Sequence, residues 1–309
     1  MSRSMATTDH NPREALGWVG VGLRHPHYRD ALSETSDVNI DTRIDFVEVH
    51  AENFFAAGGM SAAILQEVSE RYALSLHSTS LGLGSAAGVN DAYLSKLNAL
   101  IERTNPVLIS DHACFTWSHF DGHSVHAGDL LPLEYTRQNL QLMVDNVDRA
   151  QQCLGRRILV ENVSAYLEFE RTSLSETEFL VELAERSQCG LLVDLNNLLV
   201  NAHNFSAVDP LNAAKQWLEK IPSCLIGEFH LAGYAPVQAP DLIIDDHSRA
   251  VSEACWQLYE YAIWRNGPMA TLIEWDNDLP SWNELVAEAA KARRIIDAKQ
   301  NSLEVTTHV

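Results

Sequence analysis

Short apolar runs that end on a histidine or a carboxylate punctuate this chain, and the clearest is Arg157–Val163, RILVENV. Its β-favouring aliphatics Ile158, Leu159, Val160 and Val163 predict a buried strand. Glu161 lies near the end of that run, where a buried charge is costly unless it is paired or bound to metal. The same pattern recurs at Trp18–Leu23 before Arg24, at Ile44–His50, at Leu74–His77 and at Val107–Ser110 before Asp111 and His112. It returns at Leu191–Leu195 around Asp194, at Leu225–His230 and at Ala270–Glu274. Helices are predicted over Ser61–Tyr72, Asp91–Thr104, Leu133–Leu154, Glu176–Arg186, Ser248–Arg265 and Ser281–Ala298. Eight strands alternating with helices at intervals of roughly 30–40 residues predict an α/β fold, a (β/α)8 TIM barrel in a single domain. That barrel would span residues 17–298, between a polar N-terminal tail of residues 1–16 and a C-terminal tail of residues 299–309. A doubly wound open sheet is the alternative, but no glycine-rich phosphate fingerprint opens the chain.

Barrel enzymes carry their chemistry at the C-terminal ends of the strands. Here those ends hold Glu48, His50, Glu52, His77, His112, Glu161, Asp194, His230 and Glu274. Parity sharpens the point. Phe46, Glu48 and His50 alternate with Val47 and Val49, and Glu228 and His230 flank Phe229, so the polar set shares one face. The outer face of a barrel is covered by apolar helices, which sends these polar residues inward. A lone buried histidine is usually a satisfied core residue, but a rim of several histidines and carboxylates needs a counter-charge. Metal ions supply it most directly. A His/Asp/Glu mixture without thiolate pairs suits iron, manganese or zinc at a mixed nitrogen and oxygen site rather than a structural zinc. Asp245-x-His247, between the seventh and eighth strands, would face one way in extended backbone and could grip a further ion. Because the candidates outnumber the six ligands of an octahedral ion, two or three ions are expected.

Composition narrows the classes. Net charge is −20, from 22 Lys and Arg against 42 Asp and Glu, with no basic cluster, which argues against nucleic acid as partner. No apolar run reaches the ~18 residues of a membrane span, and the polar N-terminus lacks a signal core, so a cytoplasmic protein without membrane contact is expected. The five cysteines form no C-x-x-C pair and read as small apolar residues of a reduced protein. His119, His123 and His126, with Asp121 and Asp129, read as a solvated flexible loop above the barrel mouth, with a lid or partner contact as the competing reading.

Several segments in order carry a family resemblance: GVGLRHPHY, DFVEVHAENF, SLHSTSLGLGS, VEN, LLVDLNNLLVNAHNF, EFHLAGY, IDDH and LIEWDNDLP. Together they resemble the DUF692 family, the multinuclear non-haem iron-dependent oxidases (MNIO) of the xylose-isomerase-like barrel superfamily. His25 and His50 depart from that family's pattern. The resemblance implies two or three iron ions in mixed Fe(II)/Fe(III) states, with dioxygen as co-substrate. It places metal ligands on His77, His112, Glu161, Asp194, His230, Asp245, His247 and Glu274, with Asn197 and His203 as further candidates. It implies oxidation of a cysteine in a ribosomally synthesised precursor peptide, giving a heterocycle or excision of the β-carbon of a C-terminal cysteine. A substrate thiolate held on iron, followed by hydrogen abstraction from its β-carbon, is the implied chemistry. A small partner protein that binds the leader peptide is also implied. Arg24, Glu52 and Asn53 are the candidate substrate contacts, and no catalytic residue is assigned beyond the metal-bound centre. The alternative is a divalent-metal-dependent sugar isomerase or epimerase of the same superfamily, although no lysine stands at a strand end. An abasic-site endonuclease is disfavoured by the charge, and an inactive binding barrel by the intact ring of ligands.

Overall fold

The computed structural model describes residues 15–33, 43–237 and 241–307, so residues 1–14 of the expected N-terminal tail lie outside the described residues. Its first half runs β1 (Val19–Gly22), α1 (Tyr28–Ala31), β2 (Phe46–His50), α2 (Met60–Ser69), β3 (Ala73–His77), α3 (Asp91–Thr104) and β4 (Leu108–His112). A hairpin of β5 (Phe115–Phe120) and β6 (His123–Leu131) follows, then α4 (Arg137–Leu154), β7 (Leu159–Glu161), α5 (Glu176–Ser187) and β8 (Gly190–Asp194). The chain ends with α6 (Leu195–Asn204), α7 (Pro210–Glu219), β9 (Ile226–Leu231), α8 (Glu253–Asn266), β10 (Ala270–Ile273) and α9 (Trp282–Thr307).

Eight parallel strands close into a barrel in the order β1-β10-β9-β8-β7-β4-β3-β2. The expected TIM barrel is the fold observed. Period-two alternation sorts the side chains. Val21, Val47, Leu76, Ile109, Val160, Val193, Phe229 and Ile273 point outward into one core with the helices. Inside, Phe46, Leu108, Leu159, Leu192 and Leu272 fill the barrel floor. Gly20 makes room for this floor, since a Cβ there would meet Phe46 at 2.6 Å. One step toward the C-terminal ends, the inward positions change character: Glu48, Ser75, Ser110, Glu161, Asp194, Glu228 and His230 are all buried. An apolar floor beneath a polar mouth is what positions the site.

Several local expectations need correction. The segment read as a flexible loop is the β5–β6 hairpin, turned by Asp121 and Gly122 with φ of 49° and 77°. Asp-Gly is a two-residue hairpin turn that tolerates positive φ at both positions. His119 and His123 are exposed, whereas His126 is half-buried, with its Nε2 3.1 Å from Ser80 Oγ and its ring edge-on to Trp117. Two helices, α6 and α7, fill the connection from β8 to β9 where none was expected. Asp194 and Asp209 cap them, and Pro210 sits in the first turn of α7, where its missing N–H costs nothing. Helix α4 begins at Arg137 rather than Leu133 because Thr136 caps it, and α8 begins at Glu253 because Ser252 does. The last helix continues past Ala298 to Thr307.

Candidate metal centre

Neighbouring strands bring the rim residues into register. His50 lies beside His77, His112 beside Glu161, and Asp194 beside His230. His77 Nε2 and His112 Nε2 stand 3.2 Å apart, and they lie 3.5 and 3.3 Å from Glu161 Oε2. Ligands at ~2.1 Å from one ion sit about 3.0–3.4 Å from each other in octahedral or tetrahedral geometry. These three atoms therefore already have the mutual spacing of one coordination sphere. His77 Nδ1 is 2.7 Å from Ser110 Oγ. With Nδ1–H donating to that hydroxyl, Nε2 presents its lone pair to the centre. Burial, aided by the neighbouring ring, holds His77 well below the usual imidazole range and drives His112 down to about 4, so both rings are neutral near pH 7.

A second group joins Glu161 to Asp194, His230 and Glu274, with one ligand atom of each within 4.8 Å of the others. His230 Nδ1 lies 3.0 Å from Glu274 Oε2 and 3.9 Å from Glu161 Oε1. The two oxygens of Glu161 thus face different groups. Asp194 divides its carboxylate as well: Oδ1 accepts from Asn197 N at 2.6 Å to cap α6, while the buried Oδ2 has no hydrogen-bond partner. Below, Glu48, Glu228 and His230 form a third group, with His230 Nε2 3.6 Å from Glu48 Oε2 and 3.8 Å from Glu228 Oε1. Ser75 Oγ donates to Glu48 at 2.9 Å.

Asp245 and His247 come together, with Nε2 2.8 Å from Oδ1, and His247 Nδ1 reaches to 3.4 Å from Glu274. The backbone is not extended as expected: His247 has a φ of 44°. A left-handed non-glycine residue is a strained feature that clusters at functional sites. Asn196 Nδ2 donates to Asp245 at 2.8 Å. A fourth group, His50 with Glu274 and Asp276, already faces a cation. The Arg24 guanidinium donates to Asp276 through Nε at 2.8 Å and lies 3.0 Å from His50 Nε2.

Of the remaining candidates, Asn197 adjoins the cluster through its N–H bond to Asp194, while His203, Glu52 and Asn53 belong to none of these groups. His203 Nε2 lies 3.2 Å from the carbonyl of Asp241. Asn197 donates through Nδ2 to the Asn162 carbonyl at 3.0 Å, leaving its buried Oδ1 without a hydrogen-bond partner. Glu52 accepts from Thr79 N at 2.8 Å and from the Tyr93 hydroxyl, and Asn53 is exposed. Sequence reasoning missed Asp276, Asn196, Asn162 and Ser110. Asp276 carries the same parity signal as Glu274, two positions along, and could have been found by it.

The electrostatics show what the donor set lacks. Burial pushes Asp194 up to about 7 and Glu228 up to about 8, and lifts Glu161 well above the carboxylate range. Burial also opposes the charged forms of His230 and His247, yet Glu48, Glu274 and Asp245 raise both well above the imidazole range. The protein alone therefore balances this rim by retaining protons. Buried acceptors at Glu161 Oε2, Asp194 Oδ2, Glu48 Oε1 and both Glu228 oxygens lack hydrogen-bond partners. Uncompensated buried oxygens arranged around neutral imidazoles fit divalent or trivalent cations, whose binding would displace those protons.

A closed parallel barrel with such a mouth defines a metal-dependent barrel enzyme. Its shape is similar to endonuclease IV from Thermus thermophilus, at a TM-score of 0.53 and 13% identity over 92% of this chain and 99% of that one. It is equally similar to a xylose isomerase domain protein from Alicyclobacillus acidocaldarius, at 0.53 and 14% over 92% and 99%. At these identities the likeness is one of fold. The chain belongs to the family of RiPP precursor modification enzymes MbnB/TglH/ChrH, whose profile matches residues 18–297. A UPF0276 protein of Chromobacterium violaceum is 44% identical over 283 residues, covering 91% of this chain and 95% of its own. Enzymes of this family modify RiPP precursors, so a peptide is the substrate class that membership implies.

Proposed function

We propose that this chain is a multinuclear non-haem iron oxidase that uses dioxygen to modify a cysteine of a ribosomally synthesised peptide. Heterocycle formation, or excision of the β-carbon at a C-terminal cysteine, is the proposed outcome. The observation that carries the reading is Glu161, whose Oε2 faces His77 and His112 while its Oε1 faces His230. A carboxylate placed between two ligand groups would supply one oxygen to each. The mixed donor set without thiolate supports iron over a structural zinc.

His77, His112, Glu161, Asp194, His230 and Glu274 would hold the ions, with Asp245 and His247 completing a further site. Bound iron would supply acidity toward a substrate thiol and redox chemistry with dioxygen. For heterocycle formation, a four-electron oxidation of the peptide would balance reduction of one dioxygen to two waters; for excision, the same four electrons would release the β-carbon at the oxidation level of formate, which accounts for both oxygen atoms. The chain's own residues set the conditions. Phe46, Leu108, Leu159 and Leu192 close the barrel floor against water. Ser110 fixes the ligating tautomer of His77, and Asn196 holds Asp245. Arg24, braced by Asp276 and His50, stands at the rim as the cation that orients the substrate. Asn53, exposed nearby, is a further contact. Leader-peptide capture by a small partner protein completes the reading. All five cysteines are free, which supports a reducing, cytoplasmic setting, and no helix among the described residues is long and apolar enough to cross a membrane.

The test combines the anaerobically iron-loaded chain, the precursor peptide encoded beside it and its partner protein. Dioxygen uptake matched by a mass change at a peptide cysteine is expected. Modification that proceeds under strict anaerobiosis, or no dioxygen uptake with iron bound, would overturn the assignment.

A further inference from the structure

Segments that follow the barrel's strands line a half-open cavity of about 380 Å³. That is the small end of the ~300–1,000 Å³ range of ligand pockets, and suits one long side chain rather than a whole peptide. Its walls are apolar, with Leu133, Leu167, Leu198 and Phe205 among them. Its polar feature is Glu176, at the first position of α5. The Tyr135 hydroxyl donates to Glu176 Oε1 at 3.1 Å and Trp217 Nε1–H donates to Oε2 at 2.7 Å. Both donors are neutral. Glu168 adds a second carboxylate, exposed at the rim, and among the described residues no lysine, arginine or histidine lines the cavity. The pocket is thus a mainly apolar sleeve around a carboxyl that burial pushes above its usual range, that Tyr135 and Trp217 hold in place, and that has no cation of its own.

Its placement ties it to the site. The walls come from the segment after β6, the loop after β7 and helices α6 and α7, all of which follow strands at the C-terminal mouth. Helix α6 starts from Asp194 at the metal centre and runs along the cavity wall. At 1.5 Å per residue, Leu198 and Ala202 lie about 6 and 12 Å along the helix from Asp194. An extended peptide covers that distance in roughly two to four residues.

We propose that this cavity is a specificity pocket for a lysine or arginine side chain of the peptide substrate, about two to four positions from the residue modified at the metal centre. The aliphatic stem lies against Leu167, Leu198 and Phe205, and the cationic head meets Glu176. The chain's net charge of −20 favours association with a basic segment. The proposal rests on the reading of the substrate as a peptide.

The probes are capped glycine pentapeptides carrying lysine, arginine, norleucine or glutamate at the centre, titrated into the full chain. Binding is read from the Trp217 indole N–H resonance, assigned with Trp217→Phe. The lysine and arginine probes are expected to move that resonance and to bind about tenfold more tightly than norleucine, the scale of a hydrogen bond to a charged group. The glutamate probe leaves it unmoved. Glu176→Gln should weaken the lysine probe about tenfold and leave norleucine unchanged. Equal binding of lysine and norleucine by the unaltered chain overturns the proposal without any variant. A lysine preference that survives Glu176→Gln, four silent probes, or sedimentation showing two copies joined through this cavity also overturns it. None of these readings needs iron or turnover. Failure here therefore leaves the oxidase assignment standing, and failure of that assignment leaves lysine binding measurable.

Discussion

Glu161→Gln is the substitution that interrogates the shared carboxylate. Oε2 of Glu161 lies 3.3 Å from His112 Nε2 and 3.5 Å from His77 Nε2, and Oε1 lies 3.9 Å from His230 Nδ1. The amide keeps the shape but offers one oxygen. Whichever way it turns, its NH2 faces one of the two groups, so at least one ion loses a ligand and both lose a neighbouring charge. Changes outside the ligand shell already cost 10–100-fold in metal affinity, so a ligand should cost about 100-fold or more, roughly 2.7 kcal/mol. The metal-free fold should barely notice. Burial keeps the Glu161 carboxyl well above the usual carboxylate range, so a neutral amide replaces a neutral acid. Melting in the presence of chelator should then stay within about 1 °C of the unaltered protein, under 1 kcal/mol for a chain this size. The assay is anaerobic titration with Fe(II), followed by elemental analysis after desalting and thermal melting with chelator. A variant that holds both ions at unaltered affinity would refute the shared ligand. A metal-free variant that fails to fold would show that Glu161 is structural instead.

Other perturbations separate the groups. His247→Ala should remove one ion and spare those held at the strand ends, since Asp245 and His247 lie on a loop; metal analysis with circular dichroism decides, and loss of all iron contradicts it. Asp194→Asn should preserve the α6 cap while lowering metal affinity, whereas Asp194→Ala should also lose about 1 kcal/mol of stability in urea unfolding with chelator. Equal stability of the two variants would show that Oδ1 is not a working cap. Glu228 binds its proton up to about pH 8 in the fold, against an ordinary value of 4.5. Its contribution is therefore full below about pH 4 and is lost as pH rises through about 8, by a few kcal/mol. Metal-free protein should lose stability between about pH 5 and 8, and Glu228→Gln should flatten that slope. An unchanged slope in urea unfolding would mean that the carboxyl ionises freely.

The barrel and its rim were legible because two periods coincide in each strand. Val47 and Val49 against Glu48 and His50, like Phe229 against Glu228 and His230, show the helix-covered outer face and the polar inner one at once. The Leu108–Ser110–His112 and Leu159–Glu161 series add the step from floor to mouth, which only the barrel register makes visible. What stayed hidden was local or convergent. Asp194 reads as a strand-end ligand and also caps α6, and that helix hides because its polar residues Asn196 and Asn197 are buried with its leucines rather than on an exposed face. The Asp121-Gly122 turn lies within Ser118–Val125, where every residue is exposed, so no buried face marks the hairpin at its turn. His247 adopts a left-handed backbone that no residue spacing announces. Asn196 and Asp276 act through partners distant in the chain, Asp245 and Arg24, and become recognisable only once the barrel closes.

The central claim is that the rim holds more than one iron, with Glu161 between two of them. Elemental analysis of the anaerobically purified chain, with Mössbauer spectra of protein loaded with the 57Fe isotope, tests it most directly. Two or more irons per chain, magnetically coupled, are predicted, with coupling lost in Glu161→Gln. One ion per chain, or full turnover supported by zinc alone, would contradict it.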